Sequence, residues 1–190
     1  MSKRAAILLA EGFEEIEALT PADFFHRSGI EVKLLSIENQ DIVSGSHDIT
    51  VKAHAKLKDM IHEKFDVVIV PGGMPGATNL GESDLVIDFI RQKQEEGAII
   101  GAICAAPVCV LAQHGFLRAR SYTCNPGLME MAEKMVGHDA KEERVVVAGS
   151  IVTSRAAGTA AEFTHKIIEL LLGKQAADEV MKKNLFSFVS

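Results

Sequence analysis

The sequence has few of the features that mark membrane proteins and nucleic-acid-binding proteins. No apolar run approaches the roughly 18 residues that a membrane-spanning helix needs. Lys and Arg total 20 against 26 Asp and Glu, so the formal net charge is -6, whereas a nucleic-acid-binding protein usually carries a basic surplus. We therefore expect neither a membrane nor a nucleic acid among its partners.

Cysteine is scarce as well. The three cysteines include no Cys-x-x-Cys pair, and an odd number does not make a disulfide framework. The apolar run at residues 5–10 follows a basic start but is too short for a signal peptide. These features predict a cytoplasmic protein with free cysteines, each of which is either core filler or chemically active.

Motifs for cofactors are missing too. Neither Gly-x-Gly-x-x-Gly nor the phosphate-binding Gly-x-x-x-x-Gly-Lys-Ser/Thr occurs. The seven histidines show no spacing typical of metal ligands. We expect no cofactor and no metal.

Short apolar runs alternate with helical patterns along the whole chain. The pattern predicts strands at 5–10, 32–37, 65–70, 98–103, around Tyr122, 145–148 and 151–154, a hairpin at 41–51, and helices at 14–28, 84–96, 106–113, 128–135, 159–172 and 175–183. Pro21 is expected to kink or interrupt the first helix. This alternation predicts one α/β domain over residues 1–190, with a mainly parallel sheet and helices on both faces.

Cys104 follows a buried strand and precedes a helix, with small residues on either side. In such sheets ligands bind beyond the carboxyl ends of the strands, and a nucleophile there resembles the elbow of α/β hydrolases. The positive end of the next helix favours a thiolate, and an exposed turn would leave the pKa at roughly 3.5–7.5. The alternative is a small core residue, as most free cysteines are. Cys109 and Cys124 are expected to be packing residues, although Cys124 is also a candidate disulfide partner of Cys104.

Two further strand ends offer groups that suit a thiol. Gly72 and Gly73 follow the third strand, and the N–H groups of Gly73 and Ala105 are candidates for an oxyanion hole. Pro-Gly-Gly is also common in plain turns. Four carboxylates occupy residues 11–17, where acids favour a helix N-terminus in any case. One of them, if it pointed inward beside the sulfur, would have a raised pKa and would move protons.

Four motifs in order resemble the ThiJ/PfpI superfamily, in its Parkinson-associated deglycase (DJ-one) branch: Ala-Glu-Gly-Phe-Glu-Glu-Ile-Glu-Ala at 10–18, Val-Pro-Gly-Gly at 70–73, Ala-Ile-Cys-Ala-Ala-Pro at 102–107 and Thr-Ser-Arg-Ala-Ala-Gly-Thr at 153–159. The resemblance covers essentially the whole chain. It implies a flavodoxin-like three-layer sandwich that forms a homodimer. It also implies that Cys104 is the nucleophile, Glu17 its protonated partner, and Gly73 and Ala105 the N–H donors.

The chain departs from the family pattern at several positions. Ala105 stands where protease-type relatives place a histidine, which makes peptidase activity unexpected. Asn125 takes the place of a histidine that completes a loose triad in some members, and an amide cannot serve as a base. His47 falls where relatives carry an arginine that reaches across the dimer. We expect Gly72, Asn125, Arg155 and His47 to contact substrate, with Arg155 also holding a loop of the site.

The leading hypothesis is a glutathione-independent glyoxalase or protein deglycase that acts on 2-oxoaldehydes such as methylglyoxal, or on their protein adducts, through Cys104 and Glu17. The alternative is a redox sensor or stress chaperone in which Cys104 is oxidised to sulfenic or sulfinic acid. A small-substrate amidase is a weaker third. The same residues serve the first two functions, so the sequence does not separate them.

Overall fold

The computed structural model describes residues 2–186. Its central sheet has seven strands in the order β5-β2-β1-β6-β7-β9-β8, and six helices pack against it. The strands are β1 (Arg4–Leu9), β2 (Glu31–Ser36), β5 (Ala55–Lys56), β6 (Val67–Val70), β7 (Ile99–Ile103), β8 (Val145–Ala148) and β9 (Ile151–Ser154). Every pairing in the sheet is parallel except that of β8 with β9. This arrangement confirms the mainly parallel sheet predicted from the sequence.

The helices are α1 (Glu15–Arg27), α2 (Gly76–Glu82), α3 (Asp84–Glu95), α4 (Met129–Val136), α5 (Ala160–Leu172) and α6 (Lys174–Lys183), together with a π-helical segment, Pro107–Ala112. Alternate residues of β1 enter two separate cores. Ala6 and Leu8 pack with the face covered by α2, α3, α4 and the π-helical segment, and Ile7 and Leu9 pack with the face covered by α1, α5 and α6. Burial on both faces explains why the strands are apolar throughout, and the result is the expected three-layer sandwich.

The hairpin predicted at 41–51 is present as β3 (Ile42–Ser44) paired antiparallel with β4 (Thr50–Lys52). It lies beside the loop that precedes α1, where Gly12 N donates to Ser44 O and Ser46 N donates to Phe13 O, both at 2.8 Å. The hairpin is therefore tied to the loop that introduces α1.

Three local predictions need correction. The strand expected around Tyr122 is absent, because the neighbouring Thr123 N donates to the Thr153 side chain at 2.9 Å instead of joining the sheet. Pro21 does not end the first helix, which runs unbroken from Glu15 to Arg27. The helix expected at 106–113 is π-helical over Pro107–Ala112.

The sequence pattern did not predict α2. The glycines of this helix mask its periodicity, yet they let its backbone pack closely on the π-helical segment. A Cβ on Gly81 would lie 2.1 Å from Cys109 O. The helix is thus a packing element that only small residues allow.

No helix within residues 2–186 combines the length and apolar character required to cross a membrane.

Candidate active site

Cys104 occupies a tight turn between β7 and the π-helical segment. Its φ is +64°, in the left-handed region that costs a residue with a side chain about 1–2 kcal/mol. Two backbone hydrogen bonds hold this conformation: Cys104 N donates to Ser154 O at 3.0 Å, and Asn125 N donates to Cys104 O at 2.8 Å. The elbow expected from the sequence is therefore present, and the surrounding backbone fixes the direction of the sulfur.

Gly72 lies directly between the cysteine and the first helix. A Cβ on Gly72 would be 2.7 Å from Cys104 Cβ, 2.7 Å from Glu17 Oε2 and 3.0 Å from Ala105 N. No side chain fits there without moving the elbow, so a glycine at this position allows the three groups to meet.

Glu17 lies in the first turn of α1 and is completely buried, with 0% of its surface exposed. Its backbone N donates to the capping carboxylate of Glu14 at 2.7 Å, and its own Oε2 accepts a hydrogen bond from Gly72 N at 2.8 Å. The other oxygen, Oε1, is buried without a well-formed hydrogen bond among residues 2–186. A Cβ on Gly72 would lie 2.7 Å from both Glu17 Oε2 and Cys104 Cβ, so the carboxyl points inward beside the cysteine.

The surroundings of Glu17 favour its protonated form. Burial is the main cause, opposed by the hydrogen bond from Gly72 and reinforced by the charge of Glu14, and together they raise the pKa of Glu17 to about 7. A carboxyl with a pKa near neutrality both donates and accepts a proton under physiological conditions.

The low thiol pKa expected from the sequence is wrong for the resting pair. Cys104 is half-buried, and burial together with the charge of the Glu17 carboxylate raises its pKa to about 12, against hydrogen bonds from Asn125 and Ala105 that lower it. The repulsion disappears when Glu17 holds a proton. One negative charge is thus shared between two adjacent acids, which titrate as a pair.

The N–H groups predicted as an oxyanion hole belong to the loops that follow the neighbouring strands β6 and β7. Ala105 N lies 3.0 Å from the position that a Cβ on Gly72 would take, and this N–H group lowers the pKa of the Cys104 thiol. Gly73 has a φ of +87°, and a Cβ there would lie 2.4 Å from Glu14 N, so this position also requires glycine. Among residues 2–186, Gly73 N–H has no hydrogen-bond acceptor.

Asn125 also contacts the sulfur. Its Nδ2 lies 3.5 Å from Cys104 Sγ, and its Oδ1 accepts a hydrogen bond from Gly127 N at 2.9 Å. The position that the sequence assigned to the missing histidine is thus filled by an amide directed at the cysteine.

His47 and Arg155, predicted to contact substrate, are engaged elsewhere. The His47 ring and backbone bind the Glu15 carboxylate, with Nδ1 to Oε2 at 2.7 Å and N to Oε1 at 2.8 Å. Arg155 donates to Glu142 O and lies beside the Met129 sulfur, so it holds a loop as expected. Neither side chain makes a hydrogen bond to Cys104 or Glu17.

Cys109 and Cys124 differ in exposure. Cys109 is half-buried, whereas Cys124 is completely buried among residues of one core and directs its thiol at Asn125 O, 3.6 Å away. Cys124 is therefore placed as a packing residue, as expected. The structure holds all three cysteines as free thiols.

Two positioning residues were not identified from the sequence. Ser154 accepts the backbone N–H of the nucleophile, and Asn79 Nδ2 donates to Glu11 O at 2.9 Å, which ties α2 to the loop before α1. Asn79 lies in the helix that the sequence pattern missed. Ser154 stands at the end of β9, the strand beside β7, so the adjacency of strand ends was the signal available for it.

Glu14, Glu15 and His47 bring their ligand atoms within 4.8 Å of one another, a grouping that could hold a metal ion. All three groups already have partners, since Glu14 caps α1 and Glu15 and His47 bind each other. The positive end of a helix also disfavours a cation. The expectation of no metal stays a prediction.

These features define an α/β protein with a strained cysteine elbow next to a buried carboxyl. A family model described as the DJ-1/PfpI family matches residues 3–170, and the chain belongs to that family, which confirms the resemblance read from its motifs. Protein dj-1beta of Drosophila melanogaster is 39% identical over 188 residues, which span 99% of this chain and 100% of that protein.

Two further similarities extend this assignment. Glutathione-independent glyoxalase DJR-1.2 of Caenorhabditis elegans is 34% identical over 183 residues, 95% of each chain. The structure of oxidized Toxoplasma gondii DJ-1 matches with a TM-score of 0.93 and 33% identity, and the match covers 98% of this chain and 100% of that one.

Proposed function

We propose that the protein converts small 2-oxoaldehydes, with methylglyoxal as the model substrate, into 2-hydroxyacids without glutathione. The observation that carries the proposal is the adjacency of Cys104, at its strained elbow, to the buried carboxyl of Glu17, whose pKa is raised to about 7. The pair supplies a nucleophile and a proton carrier in one place, and the free N–H of Gly73 with that of Ala105 supplies donors for an oxyanion.

The first step forms a carbon–sulfur bond. The thiol proton passes to the Glu17 carboxylate, and the sulfur lone pair attacks the aldehyde carbon of methylglyoxal. The carbonyl electrons move to oxygen, where the N–H groups of Gly73 and Ala105 stabilise the charge until Glu17 returns the proton. The product is a hemithioacetal on Cys104, with Glu17 again ionised.

The second step moves hydrogen between neighbouring carbons. Glu17 removes the proton from the hemithioacetal carbon, and the electron pair forms an enediolate whose negative charge lies on the former ketone oxygen. The hydroxyl proton on the first carbon passes to that oxygen. Glu17 then protonates the second carbon, while the first becomes the carbonyl of a lactoyl thioester. One carbon is oxidised and its neighbour is reduced, so the step needs no external oxidant or reductant. Water hydrolyses the thioester, which releases lactate and restores the Cys104 thiol.

Two further facts support this proposal. A relative that aligns over 95% of its length carries the name of a glutathione-independent glyoxalase. The chemistry uses a thiol, a carboxyl and backbone N–H groups, all of which this chain provides. Removal of the same aldehyde from glycated proteins is part of the proposal, because the adducts present the same carbon atoms to Cys104.

The experiment is lactate formation from methylglyoxal in the absence of glutathione. Wild type should turn over, Cys104→Ser should lose activity by at least 100-fold, and Cys109→Ser should retain it, since Cys109 is a half-buried thiol outside the site. Equal activity of wild type and Cys104→Ser would overturn the proposal.

A second candidate is a thiol that senses peroxide, favoured by the similarity to a DJ-1 structure in the oxidized state. In the sulfenic or sulfinic acid of Cys104, the added oxygen atoms would accept hydrogen bonds from the N–H groups of Gly73 and Ala105 and from protonated Glu17. Absence of turnover in wild type, together with selective oxidation of Cys104 by peroxide, would favour this function over the first.

We also propose that the protein forms a homodimer. Ile16 on α1 and Ile49 beside the hairpin are more than half exposed, which is unusual for two large apolar side chains near a site. Light scattering coupled to gel filtration tests the proposal, and a mass of one chain at micromolar concentration would refute it.

A further inference from the structure

We propose that Asn125 is a further catalytic residue, an amide locked as a one-way hydrogen-bond donor to the Cys104 sulfur, which holds the thiolate and takes no part in proton transfer. The second half of this inference rests on the proposed function, since it leaves Glu17 as the one side chain of the pair that carries protons. The first half concerns the sulfur alone and is measured without any substrate.

The orientation of the amide follows from its neighbours. Gly127 N is a donor, so the Asn125 atom that lies 2.9 Å from it must be the oxygen. The amide nitrogen is then the atom 3.5 Å from Cys104 Sγ. In a flipped amide, the Asn125 NH2 group would face the N–H of Gly127, so that two donors would meet. The amide oxygen, an acceptor, would then face the sulfur, so one orientation is strongly preferred.

The backbone of Asn125 is held as firmly as its side chain. Its N–H donates to Cys104 O at 2.8 Å, and its carbonyl accepts from Leu128 N at 2.9 Å. Every polar group of the residue therefore has a partner, and two of these partners are atoms of the nucleophile. Side-chain rotation would break the bond to Gly127, so the donor cannot leave the sulfur without cost.

This arrangement has a chemical consequence. An amide donor is stronger toward an anionic sulfur than toward a thiol, because the hydrogen bond becomes charge-assisted. It stabilises the thiolate and competes for no proton, whereas a histidine in this place would add a second base. Ala105 N–H and Asn125 thus share the negative charge when Glu17 has accepted the proton.

Two variants separate the donor from the turn that it caps. In Asn125→Ser the hydroxyl can still accept from Gly127 N but is too short to reach the sulfur. In Asn125→Asp the shape and the cap are kept, and an oxygen replaces the nitrogen that faces Cys104. Asn39→Ser is the matched control, since Asn39 is exposed and its side chain binds Lys58.

The readout is the rate of iodoacetamide alkylation of Cys104 against pH, measured by peptide mapping so that Cys109 and Cys124 are scored separately. We expect the apparent thiol pKa to rise by about one unit in Asn125→Ser and by more in Asn125→Asp, with about tenfold slower alkylation at pH 7. The control should match wild type, and the melting temperatures of both variants should stay near that of wild type because the cap is retained.

Alkylation profiles of both variants that superimpose on wild type would overturn the inference about the sulfur. If the profiles shift as expected but wild type forms no lactate, the proposed function fails and the assignment of Asn125 as thiolate donor stands. If wild type forms lactate and Asn125→Asp does so at an unchanged rate, the catalytic role of the amide is refuted while the proposed function survives.

Discussion

Replacing Glu17 by glutamine isolates the cost of keeping an acid buried beside a thiol. Glutamine has the same shape, can accept the hydrogen bond from Gly72 N through its oxygen, and has no charge to bury. Burial raises the pKa of Glu17 from 4.5 to about 7 in the folded protein. The unfolded chain therefore ionises this carboxyl first, and wild type loses stability as the pH rises from about 4.5 to about 7.

The magnitude follows from the two pKa values. Each pH unit between them costs about 1.4 kcal/mol, so the full penalty is about 3 kcal/mol at pH 8 and less than 1 kcal/mol at pH 5. We expect Glu17→Gln to be more stable than wild type, with an advantage that grows by roughly 2.5 kcal/mol between pH 5 and pH 8. The Cys104 thiol, with a pKa raised to about 12, ionises above pH 8 and does not change this difference.

Urea unfolding of both proteins at half-unit intervals of pH measures this difference, at one fixed protein concentration so that any self-association cancels. Glu15→Gln is the matched control. Burial works against the Glu15 charge, but hydrogen bonds from His47 outweigh it and lower the pKa. Removing the Glu15 charge should therefore destabilise the protein, and the loss of stability should grow as the pH rises. This pH dependence is opposite in sign to the one expected for Glu17→Gln. A stability difference for Glu17→Gln that stays flat with pH would refute the reasoning.

Three further predictions concern the shape of the site. Gly72→Ala should abolish lactate formation and lower the melting temperature, because its Cβ would collide with both reacting side chains, whereas Gly158→Ala, with open space around it, should match wild type in activity and melting temperature. Cys104→Gly should be more stable than Cys104→Ala by about 1 kcal/mol in urea unfolding, since only glycine adopts the left-handed backbone without strain; equal stability would contradict strain at the elbow. Thr153→Val should cost about 1–3 kcal/mol, because it removes the acceptor of the buried Thr123 N–H, and a loss below 0.5 kcal/mol would show that another partner replaces it.

Much of the fold was predictable because its signals are local. Strands buried on both faces are apolar throughout, as at Val67–Val70, and glycine or a change of pattern marks the ends of the long helices. The helix Gly76–Glu82 was not predictable, since its glycines serve a backbone contact with a segment about thirty residues away. The absence of a strand at Tyr122 also depends on a distant partner, since the neighbouring Thr123 N–H binds the side chain of Thr153.

In the candidate site, too, some features were predictable from local sequence and others depend on tertiary contacts. Cys104, Gly72 and Gly73 were identifiable because they stand at the carboxyl ends of neighbouring strands, which must meet. The direction of the thiol pKa was not, because it depends on burial and on Glu17, two tertiary effects that outweigh the positive end of a helix. The contacts of Asn125 depend likewise on the turn that places Gly127 behind its oxygen.

The most direct test of the Cys104–Glu17 pair is the turnover number of Glu17→Gln for lactate formation from methylglyoxal at pH 7.5, beside the alkylation rate of its Cys104. The account predicts that turnover falls by about 100-fold or more, the usual contribution of a proton-transfer group. It also predicts that the sulfur stays reactive, because the charge that raised its pKa is gone. Turnover within threefold of wild type would contradict the central role given to Glu17.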